Sequence, residues 1–214
     1  PVLVDNDVNI MALGEHATMY PHIEQMLFVK VAAGIGAGII SGGRLHRGAQ
    51  GTAGDLGHVA ALHGGDTRCT CGNLGCLEAV ASGPAIVRAL RERGVDLQDS
   101  SDLVRLAKAG DLAAATAIRD AGREIGHVLA TCVSLLNPSV IVVGGRLAQS
   151  AESLLAGIRE VVYGRSLPLA TGDLQIVASR TAGHAGVIGA ATMVVQHVLS
   201  VEQVEHQLAA AAAG

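Results

Sequence analysis

Apolar residues fall along this chain in two rhythms. Short unbroken runs at Pro1-Val2-Leu3-Val4, Gln25 to Ala33, Ile39-Ile40-Ser41, Val59-Ala60-Ala61-Leu62, Val140-Ile141-Val142-Val143 and Leu174 to Ala178 read as strands. Between them, apolar positions recur every three or four residues. This second rhythm predicts helices over Val8 to Tyr20, Leu77 to Ser82 and from Gly83-Pro84 on to Arg93. Further helices are expected over Leu103 to Ala109, Asp111 to Leu136, about Ser150 to Val162, and Ala185 to Leu199. Asn6 or Asp7 stands where the first helix needs a cap, Ser101 where the helix at Leu103 does, and Asn137-Pro138 stops the long one.

A run as apolar as Val140–Val143 belongs to a strand covered on both faces. Strands alternating with helices therefore predict an α/β fold, a mixed sheet flanked by helices. Gly34-Ile35-Gly36-Ala37-Gly38 is expected to form a tight hairpin loop before the return strand at Ile39, and Arg44 to Gly57 a Gly-rich loop. No linker or repeat divides the chain, so 1–200 reads as one lobe. Residues 201–214, ending in the Ala-rich stretch from Gln207, read as a flexible tail.

Composition narrows the functional classes. Half of the 214 residues are apolar, with 28 glycines, one Phe, two Tyr and no Trp, so the core must be built from Val, Ile, Leu and Ala. A formal charge of -4 leaves no basic footprint and excludes nucleic-acid binding by this segment itself. Thr181 to Val201 carries no Asp, Glu, Lys or Arg. His184, Thr192, Gln196, His197 and three glycines interrupt it, so it reads as a loop and a buried helix and not as a membrane span.

The densest chemistry lies between Asp55 and Glu78. Cys69, Cys71 and Cys76 fall within eight residues, and His58 precedes the first by eleven, which is the donor set of a closed Cys3His zinc site. Gly72 and Gly75 allow the chain to turn back so that the sulfurs converge. Two alternatives stand beside this reading: a Cys69–Cys76 disulfide in an exported protein, and free buried thiols. His63, in the same spacer, competes with His58 as fourth ligand. No signal peptide opens the sequence, so a reducing, cytoplasmic compartment is expected. Cys132 sits at a helical core position and reads as a packed thiol. Asn6 and Asp7 follow a strand pattern, where an α/β sheet places ligand-binding groups, although both also serve as helix caps.

Taken in order, Asn6-Asp7-Val8-Asn9, Gly34-Ile35-Gly36-Ala37-Gly38, Gly54-Asp55-Leu56-Gly57-His58, the run Cys69 to Glu78 and Val142-Val143-Gly144-Gly145 resemble the ROK family. That family comprises bacterial sugar kinases and sugar-responsive transcriptional repressors on an actin-like, ribonuclease-H-like ATPase fold. The resemblance covers nearly the whole chain and implies the C-terminal lobe, with an N-terminal lobe and any DNA-binding domain upstream of Pro1. It implies that Asn6, Asp7, Asp55, His58 and Glu78 bind sugar hydroxyls, Asp7 being the general base if the protein is a kinase. It implies that His58, Cys69, Cys71 and Cys76 hold structural Zn2+, and that Gly34, Gly36, Gly144 and Gly145 face a nucleotide if ATP and Mg2+ bind.

This sequence departs from the family's kinase pattern twice. Asp55 replaces the usual Glu, and Ala32-Ala33 stands where kinases carry a Gly-Thr pair that serves the transferred phosphate. The expectation is therefore the sugar-sensing effector domain of a ROK regulator, binding a hexose or a derivative. It would act as a homodimer or dimer of dimers, with the 111–136 helix and the helix after Ala185 as candidate surfaces. DNA would be reached only through an upstream domain, and no membrane is involved. The larger lobe of an ATP-dependent sugar kinase is the alternative.

Overall fold

The structure, a computed structural model, describes residues 2–212. Pro1 and residues 213 and 214, where the first strand and the tail were expected to begin and end, lie outside the described residues. The described chain runs α1 (Asp7–Met19), β1 (Met26–Val31), β2 (Ile35–Ser41), β3 (Arg44–His46), α2 (Leu77–Ala81), α3 (Gly83–Glu92), α4 (Ser100–Lys108) and α5 (Leu112–Leu136). It continues through β4 (Val140–Gly144), α6 (Ala151–Arg165), α7 (Pro168–Thr171), β5 (Gln175–Ala178), α8 (Ala185–Val198) and α9 (Val201–Ala212).

The strands form one mixed sheet in the order β3-β2-β1-β4-β5. The β3–β2–β1 side is antiparallel, and β1, β4 and β5 run parallel. One face carries Met26, Phe28, Ile40, Val140 and Val142 against Val8 and Ala12 of α1. The other carries Leu27, Val29, Val31, Ile141 and Val143 into the main core with α2 to α6. The sheet is thus buried on both sides, as its unbroken Val/Ile runs require. Cys132 packs inside the main core, and burial pushes its thiol up to about 11. Glu15 of α1 is fully buried and accepts hydrogen bonds from Ser179 Oγ (2.7 Å), Arg180 N (2.8 Å) and the Thr181 hydroxyl. It thereby ties α1 to the turn after β5.

Several elements differ from the sequence expectation. Residues 2–4 form no strand; Val2 and Val4 are exposed, and no described strand lies alongside to bond them. The glycines from Gly34 to Gly38 do not form a loop. Gly36 and Gly38 lie within β2, paired with Lys30 and Phe28, and the hairpin turn is only Ala32–Gly34. A Cβ on Gly38 would come within 2.4 Å of Ala12 Cβ and 2.9 Å of Val8 O, so the glycine is there to let α1 lie on the strand. Val59–Leu62 is not a strand either. It follows a 3-10 turn at Leu56–His58 and makes one bridge, Ala60 to Cys76.

Arg44–His46, expected as loop, is the edge strand β3. The α4 helix starts at Ser100 because Asp99, not Ser101, caps it, accepting from the backbone of Ser101 and Asp102. The α6 helix runs on to Arg165, and the tail from Val201 is helical, in keeping with the high helix propensity of its alanines. No single described helix is long and apolar enough to cross a membrane; α8 and α9, bent by 48°, reach that length only as two helices.

The α1–β2 contact generates a test. Gly38→Ala is expected to cost about 1–3 kcal/mol, a fall in melting temperature of roughly 2–12 °C, because the methyl meets backbone it cannot displace. An unchanged melting curve would show that α1 does not lie this close to β2.

Candidate functional site

At the C-terminal end of β1 the sheet, the N-terminus of α1 and the Gly51–Asp55 loop enclose a cavity of about 340 Å³. Asn6, Asp7, Asn9, Lys30, Gly34, Gly36, Asp55 and Glu78 are among its walls. Four of the five expected sugar contacts, Asn6, Asp7, Asp55 and Glu78, are therefore brought together. His58 does not line the cavity.

Each side chain is placed by a local device. Asn6 caps α1, its Oδ1 accepting from Val8 N at 3.0 Å, so the capping and cavity-lining readings hold together. Asp7 opens the helix with an exposed carboxylate, and Lys30 Nζ lies 2.5 Å from its Oδ2. The preceding Asp5 is nearly buried and binds Asn9 Nδ2 (2.9 Å) and Arg47 (2.7 Å). This brace joins α1 to the Gly-rich loop. Burial works against ionisation of Asp5, but the hydrogen bonds from Asn9 and Arg47 outweigh it and hold the carboxyl below its ordinary value. Asn9 keeps one cost: its Oδ1 is buried and has no partner.

Asp55 owes its position to Gly54. That residue adopts φ +95° and its carbonyl accepts from Ala37 N at 2.7 Å, and any Cβ there would strike Ala37 O at 1.9 Å. Glu78 stands in the first turn of α2 and accepts from Ile35 N at 3.1 Å. Gly34 and Gly57 leave the room its carboxylate occupies. Gly34 and Gly36 line the cavity, whereas Gly144 and Gly145 do not. A Cβ on Gly144 would meet the Phe28 ring at 2.5 Å, and Gly145, at φ +90°, passes against Val31 O. Packing by itself requires glycine at both positions, whether or not a nucleotide binds.

The cysteine cluster forms beside this cavity. His58 Nδ1 lies 3.6 Å from Cys69 Sγ, Cys71 Sγ lies 3.7 Å from Cys76 Sγ, and all four donor atoms fall within 4.8 Å of one another. Tetrahedral zinc with ordinary Zn–S and Zn–N bonds needs S···S near about 3.8 Å and S···N near about 3.6 Å. The donor set and its spacing fit that ion. The four cysteines are free, so the Cys69–Cys76 disulfide is not formed, and the nearer pair Cys71–Cys76, at 3.7 Å, is likewise far beyond a sulfur–sulfur bond. His63 is drawn away, its Nδ1 on Glu124 Oε1 at 2.5 Å, and so is not the fourth donor.

Three sulfurs this close resist ionising together. The Cys71 backbone amide pulls Cys69 down to about 7, while burial and the neighbouring sulfurs push Cys76 up to about 12. Burial lowers His58, but the contact with Cys69 and the nearby Asp55 and Glu78 carboxylates together outweigh it and leave the ring raised. Cys76 immediately precedes α2, two residues before Glu78, and His58 follows Gly57. Anything that holds the four donors therefore holds the wall that carries Glu78.

Sequence reasoning passed over Lys30 and the Asp5–Arg47 brace. The signal for Lys30 was a lone charge in an otherwise apolar strand; the brace joins residues 42 positions apart and left no local signal.

A profile of the ROK family matches residues 1–197. The DNA-binding transcriptional dual regulator NagC of Escherichia coli K12 is 34% identical over 215 residues, covering 96% of this chain and 52% of NagC. A solved ROK-family transcriptional regulator, a homologue of the E. coli MLC protein, superposes with TM-score 0.82 at 33% identity, covering 90% of this chain and 51% of that one. A ROK-family glucokinase from Streptomyces griseus, solved with glucose and AMPPNP, gives TM-score 0.76 at 31% identity over 90% of this chain and 68% of its own. The chain spans about half to two thirds of the length of the curated relatives it matches. Regulators and glucokinases both stand among them.

The brace yields a pH test. A carboxyl held low in the folded state stabilises above its unfolded value of about 3.9, and that contribution is lost as pH falls through the folded value. Asp5→Asn is expected to lower stability by about 1–3 kcal/mol at pH 7 and to flatten the drop in melting temperature below about pH 4. Superimposable acid limbs for variant and wild type would rule the brace out.

Proposed function

Because this chain belongs to the ROK family, we propose that it is the sugar-sensing effector domain of a bacterial transcriptional regulator. It binds a hexose or a hexose derivative in the Asp7–Asp55–Glu78 cavity. The observation that carries this choice is the turn between β1 and β2. The resemblance puts a kinase's Gly-Thr pair at Ala32-Ala33, and here the turn presents only methyl groups beside a cavity still lined with carboxylates. Phosphoryl transfer depends on positioned donors around the moving phosphate, so their loss impairs catalysis while leaving sugar recognition in place.

Asn6, Asp7, Asp55 and Glu78 accept from or donate to ring hydroxyls, with His58 added through its remaining ring nitrogen. His58, Cys69, Cys71 and Cys76 hold zinc, which supplies folding energy to the loop and takes no part in chemistry, all four positions being filled by protein. Sugar binding would shift the population of lobe arrangements and so the spacing of DNA-binding domains attached upstream. The assembly is a cytoplasmic homodimer or dimer of dimers. α5 packs closely on α6, whereas α8 leaves Val194, Val195 and Val198 exposed and is the better candidate for a subunit surface.

The kinase reading draws on one observation, the carboxylate of Asp7 at the cavity. In this structure Asp7 is already paired with Lys30.

Two experiments test the proposal. The protein with its own upstream sequence, incubated with MgATP and a panel of hexoses and N-acetylhexosamines, is expected to be stabilised in thermal shift by at least one sugar without releasing ADP. Turnover at an ordinary enzymatic rate would make it a kinase. Cys76→Ser is expected to lose zinc on metal analysis and to lower the melting temperature; full metal content in the variant would place the ion elsewhere.

A further inference from the structure

Lys30 is the half-buried residue of β1 in a strand otherwise buried from Met26 to Val31. A lysine in such a strand ordinarily runs its stem along apolar surface and frees its head into water. Here the head turns into the cavity and meets the Asp7 carboxylate at 2.5 Å. The register explains how it gets there. Lys30 pairs with Gly36 on one side and Gly144 on the other, so neither neighbouring strand raises a side chain beside it.

The ion pair does little for the fold. The Asp7 side chain is 69% exposed, and pairs in such contact with water stabilise weakly. Lys30 is also the cation among the described residues lining a cavity that carries three carboxylates, Asp7, Asp55 and Glu78.

We propose that Lys30 is a ligand-contact residue: its ammonium and the Asp7 carboxylate clamp one sugar hydroxyl between them, the ion pair opening to admit it. This rests on the sugar-sensing reading above and adds a specificity residue to it. A hydroxyl offers one donor and two acceptor positions. In the gap its hydrogen goes to Asp7 and its oxygen accepts from Lys30, so both partners of the broken pair are satisfied by charge-assisted bonds. A ligand lacking that hydroxyl lets the pair close again. Its rejection is therefore about tenfold and not the far larger factor of a site left with unpaired buried groups.

The test uses the protein with its upstream sequence, titrated by calorimetry with the sugar that stabilises it and with each of its mono-deoxy analogues. Lys30→Met keeps the stem and removes the ammonium; its melting temperature without sugar is expected to match wild type, because the pair it loses is exposed. Its affinity for the parent sugar is expected to fall about tenfold. One deoxy analogue, weak on wild type, should bind the variant nearly as well as the parent sugar does. Equal affinity of variant and wild type for the parent sugar overturns the proposal, and so does a uniform loss across all deoxy analogues, which would mark a packing role. A wild type that binds no sugar overturns the sensing reading itself, and this inference with it. The wild-type titration thus separates the two failures.

Discussion

The cavity exists because α1 lies directly on β2. That contact is possible only where the strand raises no side chains, and Gly36 and Gly38 provide the bare strip. Val8 and Ala12 then fill the space a side chain would take and continue into the layer formed with Met26, Phe28 and Val142. With the helix held down, its N-terminal turn overhangs the C-terminal end of β1, and Asn6 and Asp7 face the sheet edge where α/β proteins bind ligands. Glu15 secures the same helix from its other side by satisfying the turn after β5. The site is thus built on packed elements, with the loops brought to it.

Those loops are held by two different kinds of bond. The Gly-rich segment is stitched to β2 through the Gly54 carbonyl and braced to α1 through Arg47 and Asp5. The segment carrying Glu78 is long and has little apolar content of its own, and it is gathered by four donor atoms. A metal held there would do for the loop what a hydrophobic core does for a domain, and the burial of Cys76 beside Leu77 would join the two.

The charge arrangement separates recognition from catalysis. Carboxylates around a polyhydroxyl ligand suit hydroxyl donors, and their number makes the cavity strongly negative except at Lys30. A transferred phosphate needs the opposite surroundings: cationic or amide donors converging on its oxygens. The β1–β2 turn supplies Ala32, whose carbonyl is engaged by Gly83 N, and the Ala33 methyl. These surroundings suit a polyhydroxyl ligand better than a transferred phosphate, and they are why the sensor reading is the one proposed among relatives that include both kinds of protein.

Much of this was legible along the chain. Helices α1, α5 and α8 and strands β1, β4 and β5 follow from periodicity, because each buries one stripe or one run against its neighbours, α8 against α1 and the others in the layers about the sheet. The Cys3His donors follow from spacing within one loop, and the family from five ordered motifs. Glycines misled: a Gly-x-Gly-x-Gly run allows a turn and equally allows close packing, and only the position of α1 decided that Gly36 and Gly38 are strand. Gly144 and Gly145 have packing partners of their own, Phe28 and Val31, that only the fold reveals. The exclusion of His63 from the cluster needed Glu124, sixty-one residues away, and the Asp7–Lys30 pair needed the β1 register. Sequence by itself determined those helices and strands and the convergence of three cysteines with a histidine, since both depend on residue type and local spacing. Which groups face one another across the cavity was decided by the tertiary structure alone, because those distances are set by packing between segments far apart in the chain.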